Sequence, residues 1–161
     1  MIPAPWTQLT PVRAWDLADR VGHAYALLAD AMSERLVPHA VPAAEVIAMT
    51  ILHATPGPVS QTEWGRLQGV SRQRAHVVAN TLGDRGWVAQ ERRGRDQLVQ
   101  LTPEGRHVVE MLREELGAMY AVDMEPLGPG NAAALYDLLG RLIAVLQASR
   151  VSASEGRGRS G

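Results

Sequence analysis

Ser60-Gln61-Thr62-Glu63-Trp64-Gly65-Arg66-Leu67-Gln68-Gly69-Val70-Ser71-Arg72-Gln73-Arg74-Ala75-His76-Val77-Val78-Ala79-Asn80-Thr81-Leu82-Gly83-Asp84-Arg85-Gly86 reads as two short helices around a tight turn. Ser60 is an N-cap, and Glu63 three residues on completes a capping box. The first helix stops near Gly69, and Ser71 caps the second. Helix, Gly-containing turn and helix form the signature of a helix-turn-helix unit. Gly86 closes the second helix.

The second helix has two faces. Ala75, Val78, Ala79 and Leu82 recur at i, i+3, i+4 and i+7 and are expected to pack inward. Ser71, Arg72, Gln73, Arg74, His76, Val77 and Asn80 are left outside or at the edge. Arg72 and Arg74 stand in the first turn, where the helix dipole is positive, so both oppose it until a polyanion arrives. A solvated polar face has the same composition. Arg, Gln and Asn, however, are the side chains that pair with guanine and adenine edges in a major groove. Next to an N-cap after a tight turn, they point to a recognition helix.

Downstream, Trp87–Glu91 and Gln97–Leu101 have strand character, with Arg92-Arg93-Gly94-Arg95-Asp96 as a turn between them. A hairpin directly after a recognition helix is a wing. Arg92, Arg93 and Arg95 at its tip suit a minor groove, where the negative potential is strong. Charges that merely block edge pairing are the plain alternative.

This stretch resembles the DNA-binding lobe of the MarR family of winged-helix regulators. The resemblance rests on Ser60-Gln61-Thr62-Glu63, Val70-Ser71-Arg72-Gln73, Leu82-Gly83-Asp84-Arg85-Gly86-Trp87-Val88 and Leu101-Thr102-Pro103-Glu104-Gly105-Arg106. Val41 to Met49 resembles the helix that precedes the motif, and the likeness spans about residues 12 to 148. Departures are Asp96-Gln97 where the family's wing carries Asp-Arg-Arg, Trp64-Gly65 where Leu-Ala is typical, and Val77 where a polar residue is common. The resemblance implies an effector pocket among the first, second and post-wing helices. Its candidates here are Trp15, His23, Tyr25, Met49, His53, Met111 and Met119, taking a small aromatic or phenolic molecule.

The remaining chain fits a mainly α fold, in which a winged helix-turn-helix with a small β-hairpin wing joins an α-helical dimerisation region drawn from both termini. Residues 1–11, with three prolines and Trp6, are expected as an extended arm. Residues 12–149 form a single domain with a DNA-binding lobe at 42–102 and dimerisation helices at 12–37 and 103–148. Trp15, Leu17, Val21, Ala24, Tyr25, Leu28, Met32 and Leu36 give the first helix its stripe, and Pro38 ends it. Thr102 caps and Pro103 opens the helix after the wing. Gly128-Pro129-Gly130 is expected to break the chain before a last helix, 131–148, carrying Leu135, Leu138, Leu139, Leu142, Ile143 and Leu146. Residues 150–161 are Ser, Gly and Arg-rich and read as a disordered tail.

Composition narrows the function classes. The chain has no cysteine, hence no disulfide, thiolate metal site or thiol switch. No signal peptide is visible and no apolar run reads as long enough to span a bilayer, so a cytoplasmic protein without a membrane partner is expected. Net charge is −1, but residues 60–106 hold eight arginines against five acids, a net of +3, leaving −4 for the rest. A basic lobe on an acidic body is an acceptable footprint for nucleic acid. His23, His39, His53, His76 and His107 show no metal-motif spacing, and no nucleophile elbow, phosphate loop or carboxylate pair appears, so neither an enzyme, a metal nor a cofactor is expected. The reading is a homodimeric regulator, a ligand-responsive repressor on a palindromic double-stranded DNA operator. The alternative is a winged-helix interaction module that binds protein and reads no DNA.

Overall fold

The computed structural model describes residues 9–158, with side chains through Ser149. Most of the expected arm and Trp6 therefore lie outside the described residues. The chain divides into two compact units between Ala43 and Ala44.

The first unit is helix α1, Pro11–Leu36, followed by a 3-10 turn at Val37–His39. Thr10 caps α1 by accepting from the Arg13 amide, and Pro11 takes a position where its missing N–H costs nothing. Pro38 ends the α-helix as expected, and Ala40 turns the chain with a φ of 51°. Within α1 only Leu36 is buried; Trp15 and Tyr25 are 72% and 61% exposed. The apolar stripe of this helix is thus largely uncovered.

The second unit runs α2 (Ala43–Ala54), β1 (Val59–Ser60), α3 (Gln61–Gln68), α4 (Arg72–Asp84), β2 (Val88–Arg93), β3 (Asp96–Leu101), α5 (Pro103–Met124), a 3-10 turn and α6 (Gly128–Gly158). The three antiparallel strands lie in the order β1-β3-β2, with Val59 opposite Val99 and Val88 opposite Leu101. Met49 and Leu52 of α2, Trp64 of α3, Leu82 of α4, Val99 of β3 and Leu112 of α5 are all buried. The inward set expected for the helix after the turn, Ala75, Val78, Ala79 and Leu82, is buried in full.

The turn between α3 and α4 follows from glycine. Gly69 adopts φ 72°, its N–H bonds to Arg66 O, and Val70 N–H reaches Gly65 O. This is the Schellman arrangement that needs a left-handed residue. Ser60 accepts from Glu63 N–H at 3.1 Å, but only half of the expected capping box forms. The Glu63 carboxylate is taken by Nε and Nη2 of Arg66, a partner one turn away on the same helix.

The wing's root is built from one hydroxyl and one missing methyl. Gly86 (φ 75°) ends α4 through a second Schellman pair, Gly86 N–H to Gly83 O and Trp87 N–H to Leu82 O. Thr102 Oγ1 donates to Gly86 O at 2.7 Å and accepts from Gly105 N–H at 3.0 Å. The Thr102 amide donates to Trp87 O. A Cβ on Gly105 would lie 2.0 Å from that same Trp87 carbonyl oxygen.

Element boundaries differ from the sequence expectation in the wing and in α6. The wing strands extend to Arg93 and from Asp96, leaving a two-residue turn, Gly94-Arg95, closed by the Arg93–Asp96 pair. Gly94 (φ 62°) at the first loop position is the requirement of a tight primed turn that matches strand twist. α6 begins at Gly128 and not after Gly130, because a proline in the first turn loses no hydrogen bond. α6 also continues to Gly158, so helical backbone enters the stretch expected as a disordered tail. Tyr136 (80%), Leu138, Ile143, Val145 and Leu146 of α6 are exposed. Within Pro103–Ser149 an 18-residue window reaches a mean hydropathy of 1.3 with none of it buried, so by length and composition one helix is apolar enough to cross a membrane. The sequence reading missed this window because Asp137 and Arg141 interrupt the apolar run.

Gly105 and Gly117 share α5 but differ in surroundings, and their alanine variants are expected to move stability in opposite directions. Gly117 faces open space, so Gly117→Ala adds up to about 1 kcal/mol of helix propensity. Gly105→Ala forces the chain off Trp87 and costs roughly 1–3 kcal/mol, as overpacking does. Urea melts of both variants check this; equal shifts would refute the close approach.

Candidate nucleic-acid interface

Helix α4 presents its polar face as its cap and periodicity dictate. Ser71 Oγ accepts from Arg74 N–H at 3.2 Å, fixing the first turn. Ser71, Arg72, Gln73, Arg74, His76, Val77 and Asn80 are all exposed. Thus every helix residue proposed from sequence to meet DNA is on the outer face. Val77 contributes an apolar spot there, and Thr81 bonds back to Val77 O. Arg92, Arg93 and Arg95 are likewise exposed at the wing, with Arg92 Nε reaching Gly94 O at a long 3.5 Å.

Not all arginines of the basic lobe are available to a polyanion. Arg66 is held by Glu63; that hydrogen bond lowers the Glu63 pKa from its ordinary value and raises that of Arg66. Arg85 Nε lies 3.7 Å from the buried Glu45 Oε2, and its guanidinium sits 5.0 Å above the Trp87 ring. Arg85 thereby reaches an acid of α2 that is distant in sequence. These two arginines serve the fold.

A group absent from the sequence reading stands behind α4. Gln90 of β2 donates from Nε2 to Ala79 O (3.1 Å) and to Asn80 Oδ1 (3.2 Å). Asn80 Nδ2 in turn meets His76 Nε2 at 3.2 Å. The available signal was the period of the strand. Val88 and Gln90 share one face of β2, so Gln90 is a polar residue at an inward position.

The candidate effector residues fall into both units. In the first, Trp15, His23 and Tyr25 are exposed on α1. In the second, Met49 is fully buried, Met111 is exposed and Met119 half-buried. His53 is bracketed by α5, with Nε2 3.5 Å from Glu110 Oε1 and Nδ1 3.2 Å from Arg113 Nη1. Among the described residues no group of three or more His, Cys, Asp or Glu side chains is placed to hold a metal.

No family model and no curated protein matches the sequence. Solved structures do match. A MarR-family transcriptional regulator from Rhodococcus sp. RHA1 superimposes with a TM-score of 0.74 at 16% identity, covering 83% of this chain and 96% of that one. The PcaV transcriptional regulator from Streptomyces coelicolor, in complex with its natural ligand, has 29% identity and a TM-score of 0.60 over 78% of this chain and 88% of its own. A mutant MarR from E. coli, complexed with operator DNA, matches at 0.67 and 19% identity, covering 79% and 93%. The chain has the MarR-family winged-helix fold. Within the MarR fold, α3 and α4 are the helix-turn-helix and β2–β3 the wing.

The cap and the first-turn charges of α4 have opposite effects on stability. Ser71→Ala is expected to cost about 1 kcal/mol by freeing the Arg74 amide. Arg72→Gln is expected to add a few tenths of a kcal/mol by removing a cation from the positive helix end. Chemical denaturation at low and high salt tests both: the Arg72→Gln gain should shrink with salt, and a salt-independent gain would place the cause elsewhere.

Proposed function

We propose that this protein is a sequence-specific, double-stranded-DNA-binding transcriptional regulator that acts as a homodimer. The observation that carries the reading is the joint exposure of the α4 polar face and three wing arginines on a MarR fold, one solved with operator DNA. Gln73, Arg74 and Asn80 have the chemistry for base edges, and Arg72 and the wing arginines that for phosphate or minor groove. Homodimerisation is supported by the exposed large apolar side chains of α1, such as Trp15, Tyr25 and Leu27, and of α6, such as Leu138, Ile143 and Val145. We read the exposed α6 as a surface for a second copy in preference to a membrane. Repression released by an aromatic or phenolic effector is supported by a neighbouring structure, NadR in complex with 4-hydroxyphenylacetate, which shares the fold at a TM-score of 0.71 and 18% identity. We read the chain as a non-enzyme that acts in the cytoplasm, in keeping with neighbouring structures that are transcriptional regulators.

Selection of genomic fragments by the purified protein, followed by footprinting, tests the reading. Half-sites about 10 base pairs apart, or a small multiple, are expected. Arg93→Ala and Arg95→Ala should weaken binding across all sequences and flatten the salt dependence, since phosphate contacts release counterions. Gln73→Ala should lose roughly tenfold on the cognate operator at particular base positions and little elsewhere. Absence of selective duplex binding by the wild type at any salt would overturn the proposal. A monomer in sedimentation at micromolar concentration would overturn its dimeric form.

A further inference from the structure

We infer that Gln90, on the wing strand and outside the groove-facing surface, is a positioning residue that sets how Asn80 and His76 are presented to bases. The inference rests on the DNA-reading proposal and deepens it. Its basis is a hydrogen-bond chain with a backbone anchor. Ala79 O can only accept, so the Gln90 group 3.1 Å away is the amide nitrogen. The second hydrogen of that nitrogen then goes to Asn80, 3.2 Å away, which must offer Oδ1. Asn80 Nδ2 consequently faces His76, and the His76 Nε2 at 3.2 Å must accept. The neutral His76 ring therefore carries its proton on Nδ1. At the other end, Gln90 Oε1 receives Gln61 Nε2 at 3.5 Å, and Gln61 is buried at the start of α3.

One carbonyl thus orients three side chains on two elements. Space for the contact comes from Gly83, where a Cβ would lie 3.3 Å from Gln90 Nε2. Asn80 rotated by half a turn would set its NH2 against that of Gln90, two donors with no acceptor between them. The chain selects a single amide orientation for reading, and an adenine edge demands one orientation of Asn, since its N6 donates and its N7 accepts.

The test uses Gln90→Leu in the full-length protein, with two readouts. In the free protein, nitrogen-15 NMR of the imidazoles should show His76 mainly as the Nδ1–H tautomer in the wild type. That dominance should be lost in Gln90→Leu, with the other histidines unchanged. On DNA, binding is profiled over all single-base operator variants. Gln90→Leu should lose roughly tenfold discrimination at the positions that Asn80→Ala also relaxes, and Asn80→Ala should add little in the Gln90→Leu background. An unchanged His76 tautomer overturns the inference. So does a uniform fall in affinity with base preference intact, which is what a merely structural Gln90 predicts. Should Gln90→Leu unfold, Gln90→Glu replaces it: its carboxylate cannot donate to Ala79 O, and the same tautomer and discrimination losses are expected. A wild type that binds no duplex overturns the DNA reading itself, while the tautomer result still reports whether the chain exists.

Discussion

The Thr102 hydroxyl is the contact on which the geometry of the lobe depends. It gives its only proton to Gly86 O and takes the Gly105 amide. A hydroxyl has one donor and two acceptor sites, so one atom joins the end of α4 to the start of α5. Between those two points the chain makes the whole wing. β2 leaves from Gly86-Trp87 and β3 returns to Leu101-Thr102, so the hairpin has both feet on one clamp. The Trp87 carbonyl accepts the Thr102 amide and stands where a Gly105 side chain would be. Rotation of the wing against α4 would break these bonds together. The arginines at the tip are thereby held at a fixed offset from the helix that bears Gln73 and Arg74.

That clamp explains why so much of the lobe was legible in the sequence. Leu101-Thr102-Pro103-Glu104-Gly105 encodes local physics: a buried strand end, a cap, a first-turn proline, a first-turn acid and a forced glycine. Caps at Ser60 and Ser71 and the i, i+3, i+4 pattern of α4 are equally local. What escaped reading is non-local or competitive. Gln90 meets Asn80 ten residues back and Gln61 twenty-nine back, and no local pattern announces either. Glu63 had two partners within reach, the backbone at Ser60 and Arg66, and its spacing could not rank a charged donor against an amide. Arg85 had an acid beside it in sequence and meets another through the fold.

The same separation of local and non-local effects bears on charge. Counting residues makes 60–106 a lobe of net +3, with all eight arginines treated alike. Folding divides them. Arg66 and Arg85 face carboxylates, and Arg85 also lies on an indole, so their fields are largely compensated at short range. Arg72, Arg74, Arg92, Arg93 and Arg95 project from α4 and the wing, and Arg106 is exposed near the start of α5. The positive potential is therefore more focused than the count implies, which is what a binding surface needs from a chain of near-zero total charge.

Trp64-Gly65, where the resemblance leads one to expect Leu-Ala, is best understood as one change with two halves. Trp64 is fully buried, so its indole N–H needs an acceptor; it finds Ala48 O at 3.0 Å, the carbonyl of a helix with a second lone pair to spare. A tryptophan in this core takes more room than leucine would. On the next residue the side chain is missing, and a Cβ on Gly65 would stand 3.0 Å from the Ala75 methyl. Volume added toward α2 is matched by volume removed toward α4. Ala75 is itself fully buried and begins the inward face of the helix whose outer face carries Arg74 and His76. The departure thus changes how α3 packs and leaves the cap, the turn and the outward residues of α4 in place, so it weighs on the chemistry of the core and not on the reading of the groove.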